Sequence, residues 1–282
     1  MYVEERKTGK NIKYYLVHSY RDKGKVRKIR KYLGRNLAKE ELEKAKNGAK
    51  LHILELLEEL NTEVFLFTLT KNQIEKLNRL DKNIRVVHFD QKEWQQFTEE
   101  FTYNTNAIEG STVQRDEVPE ILDKQKASGA EELETKGVAK AVNYIKNAKE
   151  DISIELIKKL QDILHQGVPL SQLHLALNDL ISWHKENKNK FKPLVLAAIM
   201  HNQFEYIHPF QDGNGRVGRF LLNFILLRNN YPPINISLED RGEYYLALQE
   251  YQKRRNLKPT IEFLVKQYKK TLRKVTTKYH NR

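Results

Sequence analysis

Apolar and polar positions alternate with a period of two through residues 12–33, NIKYYLVHSYRDKGKVRKIRKY. Tyr14, Leu16 and His18 fall on one side, and Tyr15, Val17 and Ser19 on the other. Asp22-Lys23-Gly24 has turn chemistry, and the stretch after it alternates apolar with basic residues. The pattern predicts two strands around a turn, with one buried and one wet face. A helix is expected from about Leu37, where Lys and Glu are spaced for i,i+4 pairing. From about residue 50 the apolar spacing lengthens to three and four residues. LHILELLEEL, KNQIEKLNRL, DQKEWQQFTEEFTYNTNAIEG, VPEILDKQKA, EELETKGVAKAVNYIKNA and SIELIKKLQDILHQ all read as helices, as do LSQLHLALNDLISWHKEN, PLVLAAIMHNQFEYI, VGRFLLNFILLRNN, GEYYLALQEYQKRRN and PTIEFLVKQYKKTLRKVTT. Pro119, Pro193 and Pro259 stand where helices start. The expected fold is mainly α, with a small basic β-hairpin and helix module over residues 1–75 and a helical domain over 76–282.

Composition narrows the classes. Of 282 residues, 39% are hydrophobic and 31% charged, the balance of a soluble globular chain. The runs VLAAIM and FLLNFILL fall far short of the roughly 18 residues of a membrane span. No cysteine is present, which excludes a disulfide framework and a thiolate metal site. MYVEERKTGK lacks the apolar core of a signal peptide, so a cytoplasmic location is expected. The formal charge of +13 is unevenly placed. Residues 1–50 hold 16 Lys/Arg against 6 Asp/Glu, residues 251–282 hold 11 against 1, and the middle is acidic. Residues 21–35, with eight Lys/Arg and one Asp, are the candidate partner surface for nucleic acid or an acidic protein; a solvated face is the plain alternative.

The densest chemistry lies between two strongly apolar helices, in HPFQDGNGR at 208–216, with Arg219 three residues on. Gly213 and Gly215 let the backbone turn sharply and approach a ligand closely. The N–H groups of a helix N-terminus, with its dipole, form an anion site. Arg216 and Arg219 share a face of the first turn and can fork a phosphate. Asp212 tolerates anionic company if a cation such as Mg²⁺ accompanies it. His208 can take a proton near neutral pH. The residues therefore point to a phosphate-transfer loop, and no GxxxxGK[ST] P-loop occurs. No H-E-x-x-H or comparable His/Asp spacing suggests zinc. His165, His174, His184 and His201 read as core or boundary residues, and Trp94, Phe97 and Phe101 as a core stripe.

His208-Pro209-Phe210-Gln211-Asp212-Gly213-Asn214-Gly215-Arg216-Val217-Gly218-Arg219 resembles the Fic motif HxFx(D/E)GNGRxxR at every specified position. The likeness extends over roughly residues 91–265. It implies a Fic-type helical domain that moves AMP from ATP to a hydroxyl side chain of a target protein bearing Tyr, Thr or Ser. In that reading His208 takes the proton, Asp212 holds Mg²⁺, Gly213, Asn214 and Gly215 cradle phosphates, and Arg216 and Arg219 hold the β/γ end. Phe210 anchors the loop to the core. GNGR, rather than the NKR-type ending of Doc-like kinase toxins, favours AMP transfer over phosphate transfer. Gln252, roughly where the family often has an asparagine near the adenine, is a further nucleotide contact.

Thr105-Asn106-Ala107-Ile108-Glu109-Gly110 resembles the family's inhibitory-helix motif, [S/T]xxxE[G/N], on a helix spanning about residues 91–110. The resemblance implies that Glu109 pairs with Arg219 and blocks the γ-phosphate position, a role consistent with carboxylate–arginine chemistry. One departure stands out: the family usually has a β-hairpin flap that clamps the target by strand addition. Here Leu164-His165-Gln166-Gly167 runs almost directly into Val168-Pro169-Leu170, with Trp183 soon after. Two other readings stay open. One is a nucleotide-sensing adaptor with a basic partner-binding module. The other is a related enzyme that removes AMP or transfers another phosphate-containing group. A homodimer also stays open.

Overall fold

The computed structural model describes residues 1–8, 11–22, 25–61, 69, 71–81, 84, 86–165 and 174–276. The chain divides into two compact units, Met1–Phe67 and Thr68–Arg282.

In the first unit the period-two segments form strands, and a third strand joins them. β1 (Tyr2–Thr8), β2 (Asn11–Asp22) and β3 (Lys25–Arg35) make an antiparallel sheet in the order β1-β2-β3. The turn expected at Asp22-Lys23-Gly24 lies partly outside the described residues. β1 was silent in the pattern because only Val3 among its inward positions is apolar. Helix α1 (Lys39–Asn61) covers one face of the sheet. Leu16, Ala49 and Ile53 are buried between them, with Val3, Ile29 and Leu33 packed against this small core. Gly34 has φ +150°, and a Cβ there would come within 2.7 Å of the Leu37 side chain, so the chain turns from sheet to helix on glycine.

The second unit is helical: α2 (Lys71–Asn78), α3 (Gln91–Ile108), α4 (Glu117–Asp123), α5 (Ala130–Asn147), α6 (Ile154–His165), α7 (His174–Asn187), α8 (Pro193–Ile207), α9 (Asn214–Arg228), α10 (Arg241–Arg254) and α11 (Lys258–Thr276). α8 and α9 are buried nearly all round and are therefore central. α7, α10 and α11 pack on α8, while α5, α6 and α3 pack on α9. Pro193 opens α8 at its first turn. Phe97 and Phe101 of the aromatic stripe of α3 are core, while Trp94 is half-buried at its edge: Trp94 to Phe97 is 5.8 Å, Phe97 to Phe101 5.4 Å, and Phe101 reaches Phe220 of α9 at 5.4 Å. Each such buried ring contributes roughly 1.5–3 kcal/mol. Polar groups in the core are met locally. Asn223 accepts from Ile234 N–H at 2.7 Å and donates to Ile234 O at 2.9 Å. Asp81 accepts from Leu194 N–H in the first turn of α8, while burial raises its pKa to about 6. Residues 166–173, the segment in which the family's flap would fall, lie outside the described residues. Among the described residues no helix is long and apolar enough to cross a membrane.

Candidate active site

The site is built where α8 hands the chain to α9. α8 ends on His208 in the left-handed region, φ 50°, its N–H donating to Phe204 O at 2.9 Å. A non-glycine residue held there is mildly strained, as functional turns often are. His208 is exposed, while Phe210 is buried with its ring 6.4 Å from that of Phe204, so the anchor expected of Phe210 is in place. Between them the loop is tied from three sides. Asn214 Oδ1 accepts from Phe210 N–H at 2.9 Å, and Asn214 Nδ2 donates to Phe210 O at 2.8 Å. Gln161 Nε2 of α6 donates to Asp212 O at 3.0 Å, and Asp212 Oδ1 accepts from Gly213 N–H at 2.7 Å. Gly213, with φ 80°, then turns the chain into α9.

Arg216 in the first turn of α9 and Arg219 in the second are both buried and face carboxylates. Arg216 Nη1 lies 3.0 Å from Glu134 Oε2 on α5, and Arg216 Nη2 lies 3.7 Å from Asp212 Oδ2. Arg219, 2% exposed, lies 2.7 Å from Glu109 Oε1. Its Nε donates to Thr105 Oγ1 at 2.7 Å and its Nη2 to Thr105 O at 3.0 Å. Burial works against the charge of Arg219, but Tyr244 and Glu109 together raise its pKa.

Glu109 is delivered by the end of α3. The Asp90 side chain caps that helix's N-terminus in a reciprocal pair with Glu93. At its far end Gly110 has φ 100°, Gly110 N–H donates to Ala107 O and Ser111 N–H to Asn106 O. This is a Schellman ending, which fixes Glu109 as the last residue before the turn. The carboxylate rests against the first turn of α9: a Cβ built on Gly215 would run into Glu109 Oε1 and come within 3.1 Å of Arg219 Nη1. An anion thus sits where helix-terminal N–H groups and dipole favour one.

A second carboxylate stands behind the pair and was not anticipated from the sequence. Glu205 of α8 lies against Gly218, where an added Cβ would meet its Oε1, and that oxygen has no hydrogen-bond partner. Burial lifts its pKa to about 7, Arg219 opposing and Glu109 adding to the shift. His201 shares this interior, its Nε2 2.8 Å from Tyr244 Oη; burial lowers its pKa to about 3. The folded pKa of Glu205 exceeds the ordinary carboxylate value. Its contribution to stability is therefore full below about pH 4.5 and is lost as pH rises through 7. Unfolding free energies of the wild type and Glu205→Gln, measured by denaturant titration from pH 5 to 8, should diverge in favour of the variant, by on the order of 1–3 kcal/mol at the upper end. A constant difference across that range would refute the assignment.

The other expected site residues are placed as follows. Asp212 is largely exposed beside the loop, its side chain 72% accessible. Gln252 is exposed on α10, next to buried Tyr251, whose hydroxyl accepts from Gln203 Nε2 at 2.6 Å. Among the described residues no hydrogen bond or ion pair joins Gln252 to the loop. His184 and His201 are buried, as core residues should be. The side chains of His165 and His174 lie outside the described set. Among the described residues no cluster of three His, Cys, Asp or Glu is placed to hold a metal by itself.

Residues 10–226 match the family model described as Fic/DOC family. The chain is 29% identical over 200 residues to the protein adenylyltransferase Fic of Nematostella vectensis, a match covering 60% of this chain and 47% of that protein. It is 28% identical over 197 residues to protein adenylyltransferase fic-1 of Caenorhabditis elegans, covering 59% and 39%. The matched region therefore spans less than half of either relative. Among solved structures, a Fic-1 fragment from C. elegans superposes with a TM-score of 0.61 at 22% identity, over 83% of this chain and 76% of that one. A Fic domain containing signaling protein from Bacteroides thetaiotaomicron superposes with a TM-score of 0.59 at 24% identity, over 73% and 94%. At these identities the likeness speaks for the fold alone.

Proposed function

The chain belongs to the Fic/DOC family, and on that premise we propose that its helical unit transfers AMP from ATP to a hydroxyl side chain of a protein, under restraint by Glu109. The observation that carries this reading is the Glu109 carboxylate lodged on the first turn of α9 and paired with Arg219. It occupies the place that helix-terminal N–H groups and a buried guanidinium would otherwise offer to a phosphate. The protein adenylyltransferase names of the relatives agree with that chemistry.

Each residue then has a task. His208, exposed at the loop entrance, takes the proton of the attacking Tyr, Thr or Ser hydroxyl. The hydroxyl oxygen bonds to the α-phosphorus, the α–β bridging P–O bond breaks, and pyrophosphate leaves. Gly213 and Gly215 bring the backbone close to the phosphates, and Arg216 and Arg219 neutralise the distal end once their carboxylate partners yield. Asn214 spends its side chain on Phe210, so it acts by shaping the loop and through its backbone N–H. Gln252 would reach the adenine side. Asp212 suits Mg²⁺, because that ion is commonly held by one carboxylate together with phosphates and water rather than by a protein cage. When bound there, Mg²⁺ would supply charge neutralisation on the phosphates.

The test is labelling with α-labelled ATP in a cell lysate, using the wild type, Glu109→Gly and Glu109→Gly/His208→Ala. Label on a protein band should rise at least about tenfold in Glu109→Gly and vanish in the double variant. A Glu109→Gly protein that binds ATP yet transfers no label would overturn the transferase reading in favour of a nucleotide sensor.

A further inference from the structure

The sheet of the first unit has a second face, opposite its helix, on which Val17 is fully buried while Tyr2, Lys28, Arg30 and Tyr32 are exposed. Val3, Leu16, Ile29 and Leu33 point toward α1, so the alternate positions point away. The pairings Tyr2–Val17, Glu4–Tyr15 and Arg6–Lys13, then Tyr15–Tyr32, Val17–Arg30 and Ser19–Lys28, define that outer face. Its contacts confirm the assignment: Arg30 Nε is 3.4 Å from Glu4 Oε2, Lys28 Nζ is 3.3 Å from Tyr2 Oη, and Tyr15 and Tyr32 lie 5.4 Å apart. Glu4 is the one carboxylate among the described outward side chains, and it holds Arg6 and Arg30 on either side. Tyr2 and Tyr32 are about half exposed.

Charge and shape then select a partner. Residues 1–36 hold twelve Lys/Arg against three Asp/Glu, whereas α1 holds four against six, so the positive charge belongs to the sheet and not to the helix behind it. β1 ends its pairing at Val17, so His18–Asp22 and Lys25–Ile29 pair only with each other and continue as a two-stranded ribbon. Five residues per strand give it a length of about 17 Å. A B-form major groove, about 12 Å wide, admits a two-stranded ribbon. Arg6 covers the Tyr15 ring at 5.1 Å and Lys28 lies 6.0 Å from the Tyr2 ring, so these faces are already taken and do not form a free stacking platform for single strands.

We propose that the outer face of this sheet, centred on Arg6, Lys13, Lys28 and Arg30, docks duplex DNA, with the β2–β3 ribbon entering the major groove. Outward cations meet phosphates on the groove walls, and the exposed tyrosine hydroxyls add phosphate hydrogen bonds. The test is fluorescence anisotropy of the full chain with a short B-form duplex, titrated from low to physiological salt. Affinity should fall steeply with salt, and Lys28→Glu/Arg30→Glu should weaken binding at least about tenfold and flatten the salt slope. Lys28→Ala/Arg30→Ala should act in the same direction more weakly, which guards against a charge-reversed sheet that misfolds; thermal melts report folding of both. An RNA duplex of the same length should bind less well, because its major groove is deep and narrow. Absence of binding at low salt, or full affinity in a folded alanine variant, would overturn the proposal. So would equal or tighter binding of single strands. Equal competition by polyglutamate would assign the face to an acidic protein instead.

Discussion

Gly215→Ala, introduced into the Glu109→Gly protein, is expected to cut AMP transfer at least about a hundredfold while leaving the fold intact. A Cβ at this position projects into the space now held by Glu109 Oε1 and stops 3.1 Å from Arg219 Nη1. In the proposed reading that space is where phosphate meets the helix terminus. With Glu109 present, the same Cβ also pushes the carboxylate aside, but activity should not rise, because the obstruction falls on inhibitor and nucleotide alike. Gly215 lies inside α9, where alanine is the better helix former by up to about 1 kcal/mol. Stability should therefore hold or increase as activity collapses. Nucleotide affinity by calorimetry, labelling and a thermal melt measured together decide the matter; a fully active alanine variant would remove Gly215 from the phosphate site.

Arg219→Ala should be the most destabilising change at the site, at about 3–5 kcal/mol. The loss has three sources. The guanidinium is 2% exposed, and truncation leaves Thr105 O and Oγ1 short of their donor. Glu109 loses its partner. Glu205, already raised to about 7 by burial, loses the one nearby cation holding it down. For a unit of this size the penalty corresponds to a fall of roughly 10 °C in melting temperature. Arg219→Lys keeps the charge but cannot fork to Thr105 and Glu109 together, so it should recover only part of the loss. Equal melting temperatures for wild type and Arg219→Ala would mean that the pair contributes nothing to the core.

Much of this was legible in the chain, for reasons that differ by element. α8 and α9 announced themselves by long apolar runs, and the loop between them by residue types that a simple cap does not require. The Trp94, Phe97, Phe101 spacing returned the aromatic stripe of α3. Other features depend on distances between segments remote in sequence. Glu134 reaches Arg216 from α5, and nothing in EELETKGVAK marks it among its neighbouring acids. Thr105 was noticed as a motif position, but its two bonds to Arg219 come from the crossing of α3 with α9. Glu205 reads as the polar side of an amphipathic turn, yet α9 packs over it at Gly218. β1 escaped because its inward positions are Val3, Glu5 and Lys7, which leave too little periodicity to detect.

The Asn214 clasp has a chemical consequence of its own. Asparagine followed by glycine is the dipeptide most prone to lose its side-chain ammonia, through attack of the next backbone nitrogen on the amide carbon. Here both ends of the Asn214 amide are held by Phe210, and Gly215 is wound into a helix, so the attack geometry is denied while the protein stays folded. An unfolded chain lacks that protection, and the aspartate it would acquire at 214 could no longer donate to Phe210 O. Deamidation at Asn214 would then record how often each molecule had opened.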